Sequence, residues 1–155
     1  MSEYPTITKT LFLVAGIMFP IAFCSLSPGT VAQSLRSRSA TASAYIERGN
    51  TWIARSDYQR ALADFDLAVA SDPGNAVAYY NRGVTRHLLK DYERALADFS
   101  LAIHLNPGYA EAYINRGVIR LNMGDVDGAI KDGSRSVELA PKLVNGWNLR
   151  GVARD

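Results

Sequence analysis

Residues 76–109 read AVAYYNRGVTRHLLKDYERALADFSLAIHLNPGY, and residues 110–143, AEAYINRGVIRLNMGDVDGAIKDGSRSVELAPKL, follow without a gap in the same register. Residues 42–75, ASAYIERGNTWIARSDYQRALADFDLAVASDPGN, precede them in step. An aromatic, an Arg-Gly pair, an Asp, an Ala, another Asp and a Pro recur at fixed offsets with a period of 34 residues. Chance does not repeat such a set three times, so the chain is a tandem array whose unit is one supersecondary structure. A fourth unit opens at residue 144 with VNGWNLRGVARD and covers only part of its first half.

Within a unit, the stretch AYYNRGVTRHLL sets Tyr79, Gly83 and Arg86 at helical spacing, and YERALADFSLAIHL does the same for Ala95, Phe99, Ala102 and Leu105. Each half is an amphipathic helix of about 14 residues. Asp57, Asp91 and Asp125 stand just before each second helix, where a short acceptor satisfies free amides of the first turn. Pro73, Pro107 and Pro141 stand at its end, where the ring forbids continuation. One hairpin cannot cover its own apolar face, so neighbouring hairpins stack. The fold class is therefore all-α, a solenoid of three helix-turn-helix repeats (42–75, 76–109, 110–143) with a C-terminal partial repeat (144–155). Gly49, Gly83, Gly117 and Gly151, with Ala61, Ala95 and Ala129, mark close helix approaches, and Tyr45, Tyr79, Tyr113, Trp147, Phe65 and Phe99 fill the spaces between.

The pattern resembles the tetratricopeptide repeat family in period and in its aromatic, Gly, Ala, Phe and Pro landmarks. The resemblance runs from Ala42 to the C-terminus. That family has Leu before its Gly and Tyr three residues after it, whereas this chain has Arg48, Arg82 and Arg116 before and Trp52, Arg86 and Arg120 after. Arg82 and Asp98 lie equally far from the turn at Lys90, as do Arg48 with Asp64 and Arg116 with Asp132 about their own turns. Three Arg-to-carboxylate forks between paired helices are predicted. Arg150 has no such carboxylate within the sequence.

The resemblance implies a right-handed superhelix whose concave face, lined by first helices, holds a peptide or a protein segment. Carried over by repeat position, that groove comprises Glu47, Asn50, Val77, Asn81, Val84, Glu111, Asn115, Val118 and Asn122, with Tyr80 and Ile114 flanking it. Asn81 and Asn115 share one repeat position. Their amides can pair with a peptide backbone, or alternatively bond helix to helix. Some members grip a C-terminal carboxylate with Lys and Arg. The matching positions here carry Ser43, Glu47, Val77, Asn81, Glu111 and Asn115, which makes the groove neutral to acidic and ill-suited to an acidic tail.

Composition narrows the remaining classes. Seventeen basic and 15 acidic side chains are interspersed along the repeats for a net charge of +2, so no basic stripe awaits nucleic acid. His87 and His104 stand far apart, no Gly-rich phosphate loop or nucleophile set is present, and neither a catalytic site, a metal, a cofactor nor a small-molecule substrate is indicated. The expected function is a non-enzymatic interaction scaffold. The alternatives are an assembly element that self-associates or docks through its C-terminal end, giving a homo-oligomer, and a shortened copy of a longer array.

The first 32 residues differ in kind. Lys9 precedes the apolar run LFLVAGIMFPIAFC, followed by Ser27, Pro28, Gly29 and then Thr30 and Ala32, which reads as a secretory signal cleaved near Ala32. Periplasmic or secreted location follows, with membrane anchoring through residues 11–26 as the alternative. Phe23 before Cys24, the sole cysteine, is too large for lipoprotein processing. Residues 33–41, QSLRSRSAT, are polar and Ser-rich and read as a flexible leader. In the third repeat Gly133 replaces the Phe of the first two, leaving a gap that would weaken that helix if nothing fills it.

Overall fold

The computed structural model describes residues 28–153 of the chain. Among these, seven helices follow one another: α1 (Pro28–Ala54), α2 (Tyr58–Ser71), α3 (Ala76–Leu88), α4 (Tyr92–Leu105), α5 (Ala110–Asn122), α6 (Val126–Leu139) and α7 (Val144–Val152). α1 pairs with α2, α3 with α4 and α5 with α6 as antiparallel hairpins, and each hairpin stacks on the next. α3, α5 and α7 begin in strict register with the repeat. Most of the export signal expected over residues 1–32, its membrane-anchor alternative over residues 11–26 and Cys24 lie outside the described residues; the expected cleavage point, Ala32, lies in the first turns of α1.

The caps are those the repeat supplies, with one departure. Asp57 accepts from the Arg60 amide at 3.2 Å and Asp125 from the Gly128 amide at 2.9 Å. Asp91 makes no such bond, because the Arg94 Nε takes its carboxylate at 2.5 Å. Each hairpin turns through a left-handed residue at one repeat position: Ser56 (φ 59), Lys90 (φ 63) and Gly124 (φ 84). Only the third unit uses glycine there, the residue that carries positive φ without steric cost.

Residues 33–41, expected as a flexible leader, are instead the exposed N-terminal half of α1. No breaker interrupts the sequence after Gly29. The Ser and Thr hydroxyls that argue against helix turn back onto it: Ser37 donates to the Ser34 carbonyl at 2.8 Å and Thr41 to that of Ser37 at 2.8 Å. None of the helices of the described residues is long and apolar enough to cross a membrane.

The core runs along the seam of the hairpins. Phe65 and Phe99 are fully buried and press on Gly49 and Gly83, where an added Cβ would lie 2.6 and 2.9 Å from the rings. In the third unit the ring is absent, and Leu149 of α7 takes its place. An added Cβ on Gly117 would lie 2.5 Å from Leu149 Cδ2, and Leu149 is buried with Ala129 and Ala153. The expected gap at Gly133 is thus filled from the following unit. Leu149 is thus buried, while Trp147 and Val152 of the same helix remain 45% and 66% exposed.

Candidate functional site

Two features of the repeat bear on function: a polar clasp on each hairpin, and a groove along the first helices. In the clasp, Arg48 donates through Nε and Nη2 to Asp64 at 2.7 and 2.5 Å. Arg82 grips Asp98 at 3.0 and 2.7 Å, and Arg116 grips Asp132 at 3.0 and 2.7 Å. The carboxylates are almost wholly buried. Sequence reasoning missed the second guanidinium: Arg86 Nη1 reaches Asp98 at 2.7 Å and Arg120 Nη1 reaches Asp132 at 2.8 Å. The signal was present, since Arg86 and Arg120 stand where the related repeats carry Tyr, one helical turn from the first Arg and on the same face.

The clasp also ties repeats together. The remaining Nη1 of Arg82 donates to Asp66 of the preceding hairpin at 2.9 Å, and that of Arg116 to Ser100 at 3.2 Å. Each Arg further lies over the aromatic ring three residues earlier, from Arg48 on Tyr45 at 5.4 Å to Arg150 on Trp147 at 4.4 Å. Arg150, without a carboxylate partner among the described residues, lies over that ring. Arg82 and Arg116 are therefore spent on the fold, whereas Arg48 keeps more than half of its side chain exposed.

The groove residues divide. Ile114, Asn115 and Val118 come together with Leu121, Asn145, Asn148, Leu149 and Val152 around a hollow of about 340 Å³ between α5 and α7. Asn145 and Asn148 were absent from the sequence-derived set although they repeat the positions of Glu111 and Ile114 one period on. Glu47, Asn50, Val77, Glu111 and Asn122 are exposed, and Asn81 is half-buried. Val84 packs on the core around Phe99. Tyr80 stands 4.6 Å from Tyr109, ring to ring, and its hydroxyl accepts from Asn115 Nδ2 at 3.0 Å. So Asn115 takes up the helix-to-helix role. At the matching place before Asn81 stands Ile46, which offers no hydroxyl, and no hydrogen bond ties the Asn81 amide among the described residues.

Burial raises the Tyr80 phenol above its ordinary value, the Asn115 hydrogen bond pulling it back and the Glu111 charge adding to the rise. Burial raises Tyr109 further, with Tyr80 and Glu111 contributing. Both therefore stay neutral at ordinary pH. His87 meets the Tyr92 ring edge-on at 5.7 Å and His104 is exposed on α4, so the two imidazoles do not converge. No group of three or more His, Cys, Asp or Glu among the described residues is arranged to hold a metal ion.

Tetratricopeptide repeat models match residues 30–76, 76–109 and 110–143. Among solved structures, the chain is similar to the first such domain of Spaghetti (RPAP3) bound to the HSP90 peptide SRMEEVD. The two share 30% identity over 75% of this chain and 92% of that one, with a TM-score of 0.73. The first domain of human RPAP3 gives 30% identity over 74% and 90%, with a TM-score of 0.70. The Arabidopsis OM64 domain matches in fold, at 20% identity over 76% and 97%, with a TM-score of 0.73. Sequence comparison with curated proteins gives no match.

Proposed function

The chain belongs to the tetratricopeptide repeat family, and on that premise we propose that it is a non-enzymatic scaffold holding an extended peptide or protein segment along its concave face. The observation that carries the proposal is the hollow between α5 and α7. Its floor is apolar, from Ile114, Val118 and Leu149, and its exposed edge carries Val152 and the carboxamides of Asn145 and Asn148. A carboxamide both donates to and accepts from a peptide backbone, so one apolar side chain seats in the hollow while the main chain is held at the rim. The RPAP3 domain was solved with an acidic peptide, SRMEEVD. No cation lines the hollow here. An uncharged apolar segment is preferred for that reason over an acidic tail.

A photo-crosslinking residue at Asn148, an exposed position, tests this in living cells. The expected outcome is a discrete crosslinked partner that disappears when Asn145→Arg is added, with the melting temperature unchanged. Crosslinking indifferent to Asn145→Arg counts against the groove. A second reading, docking or self-association through α7, is favoured by the exposure of Val144, Trp147 and Val152. Light scattering that shows a dimer lost on Trp147→Ala would replace the first reading by the second.

We also propose that the chain is exported, on the strength of Lys9 and the apolar run that follows it. N-terminal sequencing of the protein recovered outside the cytoplasm is expected to begin near Gln33. Retention of residues 11–26 in a membrane fraction would point to the anchored form instead.

A further inference from the structure

The two internal junctions between hairpins share a device whose acceptor has no counterpart among the described residues at the N-terminal end of the solenoid. At each junction the first Arg of a hairpin keeps Nε and Nη2 on its own Asp and extends Nη1 to the preceding second helix, reaching Asp66 from Arg82 and Ser100 from Arg116. That contact leaves the Arg82 and Arg116 side chains only 14% and 15% exposed. Arg48 holds Asp64 with the same fork, yet its side chain is 56% exposed and its Nη1 has no hydrogen bond among the described residues. Beside it lies a hollow of about 260 Å³ lined by Arg48, Trp52, Arg60, Ala63 and Asp64.

We propose that this face docks a helix of another protein that presents an Asp or Glu beside aliphatic side chains, as α2 presents Asp66 to α3. The carboxylate takes Nη1 of Arg48, and the apolar flank covers Trp52. Trp52 replaces the second clasp arginine of the later units and is bracketed by the guanidiniums of Arg55 at 5.4 Å and Arg60 at 4.9 Å. A broad ring with a cationic rim is a strong anchor once an acidic partner excludes water from it. A second copy is a poor occupant: α7, at the opposite end, offers Arg150 and no carboxylate between Val144 and Val152. This surface is separate from the concave groove, and the two proposals stand or fall independently.

The probe is a fluorescein-labelled helical peptide with the sequence of residues 58–71, hydrocarbon-stapled on the face opposite Asp66, titrated into the full chain. Saturable binding that weakens with added salt is expected, together with a loss of about tenfold or more for the Asp66→Asn peptide. Arg48→Gln leaves Asp64 without its partner and threatens folding, so Trp52→Ala and Arg60→Glu serve as the protein variants, each checked by its melting curve. Both are expected to abolish binding, and the Trp52 indole resonance is expected to shift on titration. The proposal is overturned by any of three results: equal affinity for the parent peptide and its Asp66→Asn form, resonance shifts at Asn145 and Asn148 in place of Trp52, or a dimer of the chain that excludes the peptide.

Discussion

Asp98 accepts three charge-assisted hydrogen bonds from two guanidiniums, at 2.7 to 3.0 Å, with its own side chain almost wholly buried. A carboxylate so placed has lost its water, and only the paired charges hold it in the interior. The arginines are mostly buried as well, and Arg86 Nε has no hydrogen-bond partner among the described residues. Asp64 is the contrasting case: one arginine grips it, and that arginine is more than half exposed. Removing Asp98 leaves two mostly buried cations with only the half-exposed Asp66 to share, whereas removing Asp64 releases one cation to solvent. Asp98→Ala is therefore expected to cost about 3–5 kcal/mol, and Asp64→Ala about 1 kcal/mol. Urea midpoints compare them directly, and equal midpoints would show that the second arginine adds nothing. The pairing itself was legible from equal distances to the turn. The doubling left only a partial signal, because a departure from a family pattern marks Arg86 and Arg120 without saying which neighbour each has acquired.

Among the elements, α6 shows how a reading confined to one unit can mislead. Gly133 stands where the first two units have Phe, and taken alone it marks a missing ring. The close approach of α7 explains it: an added Cβ on Gly133 would lie 3.1 Å from the Arg150 backbone nitrogen, and Leu149 occupies the space against Gly117. Glycine there admits a neighbouring backbone, and the lost aromatic volume returns from the next unit. From α2 onward the helices, their boundaries and the Asp and Pro punctuation could be read from the 34-residue period, whereas the start of α1, which lies before the first repeat, could not. What fills a cavity between units could not, because periodicity fixes positions along a helix and leaves contacts between helices to packing. For the same reason Asn145 and Asn148 belong to the groove by register, yet only the seating of α7 shows them around one hollow. Restoring the ring tests this: Gly133→Phe, a stabilising change on the sequence pattern, is expected to cost about 1–3 kcal/mol by forcing α7 away. A variant with a higher melting temperature than the parent chain would show that α7 yields without loss.

For the molecule as a whole, stability in a solenoid is a sum of unit stabilities and nearest-neighbour interfaces, so a contact that bridges units carries more than its local energy. The contact between the second and third units centres on Tyr80, whose ring meets that of Tyr109, the N-cap residue of α5, in a tilted pair at 4.6 Å and whose hydroxyl accepts from Asn115, with the Phe99 ring 5.8 Å away. Burial raises both phenols, and their mutual charge repulsion on ionisation adds to the rise in Tyr109. A phenol is neutral when protonated, so a raised folded value means that the folded chain holds its proton where the unfolded chain has released it. The associated stability is complete below the unfolded value, about 10, and is lost as pH rises from there toward the folded values. The urea midpoint is thus expected to be level through neutral pH and to fall steeply above about pH 10. Tyr109→Phe keeps the ring and removes its ionisation, and is expected to be near neutral in effect at about pH 7 while retaining more of its midpoint at about pH 11. Should the variant and the parent lose the same amount between those two pH values, the alkaline loss belongs to other groups, and the bridge between the units is held by packing alone.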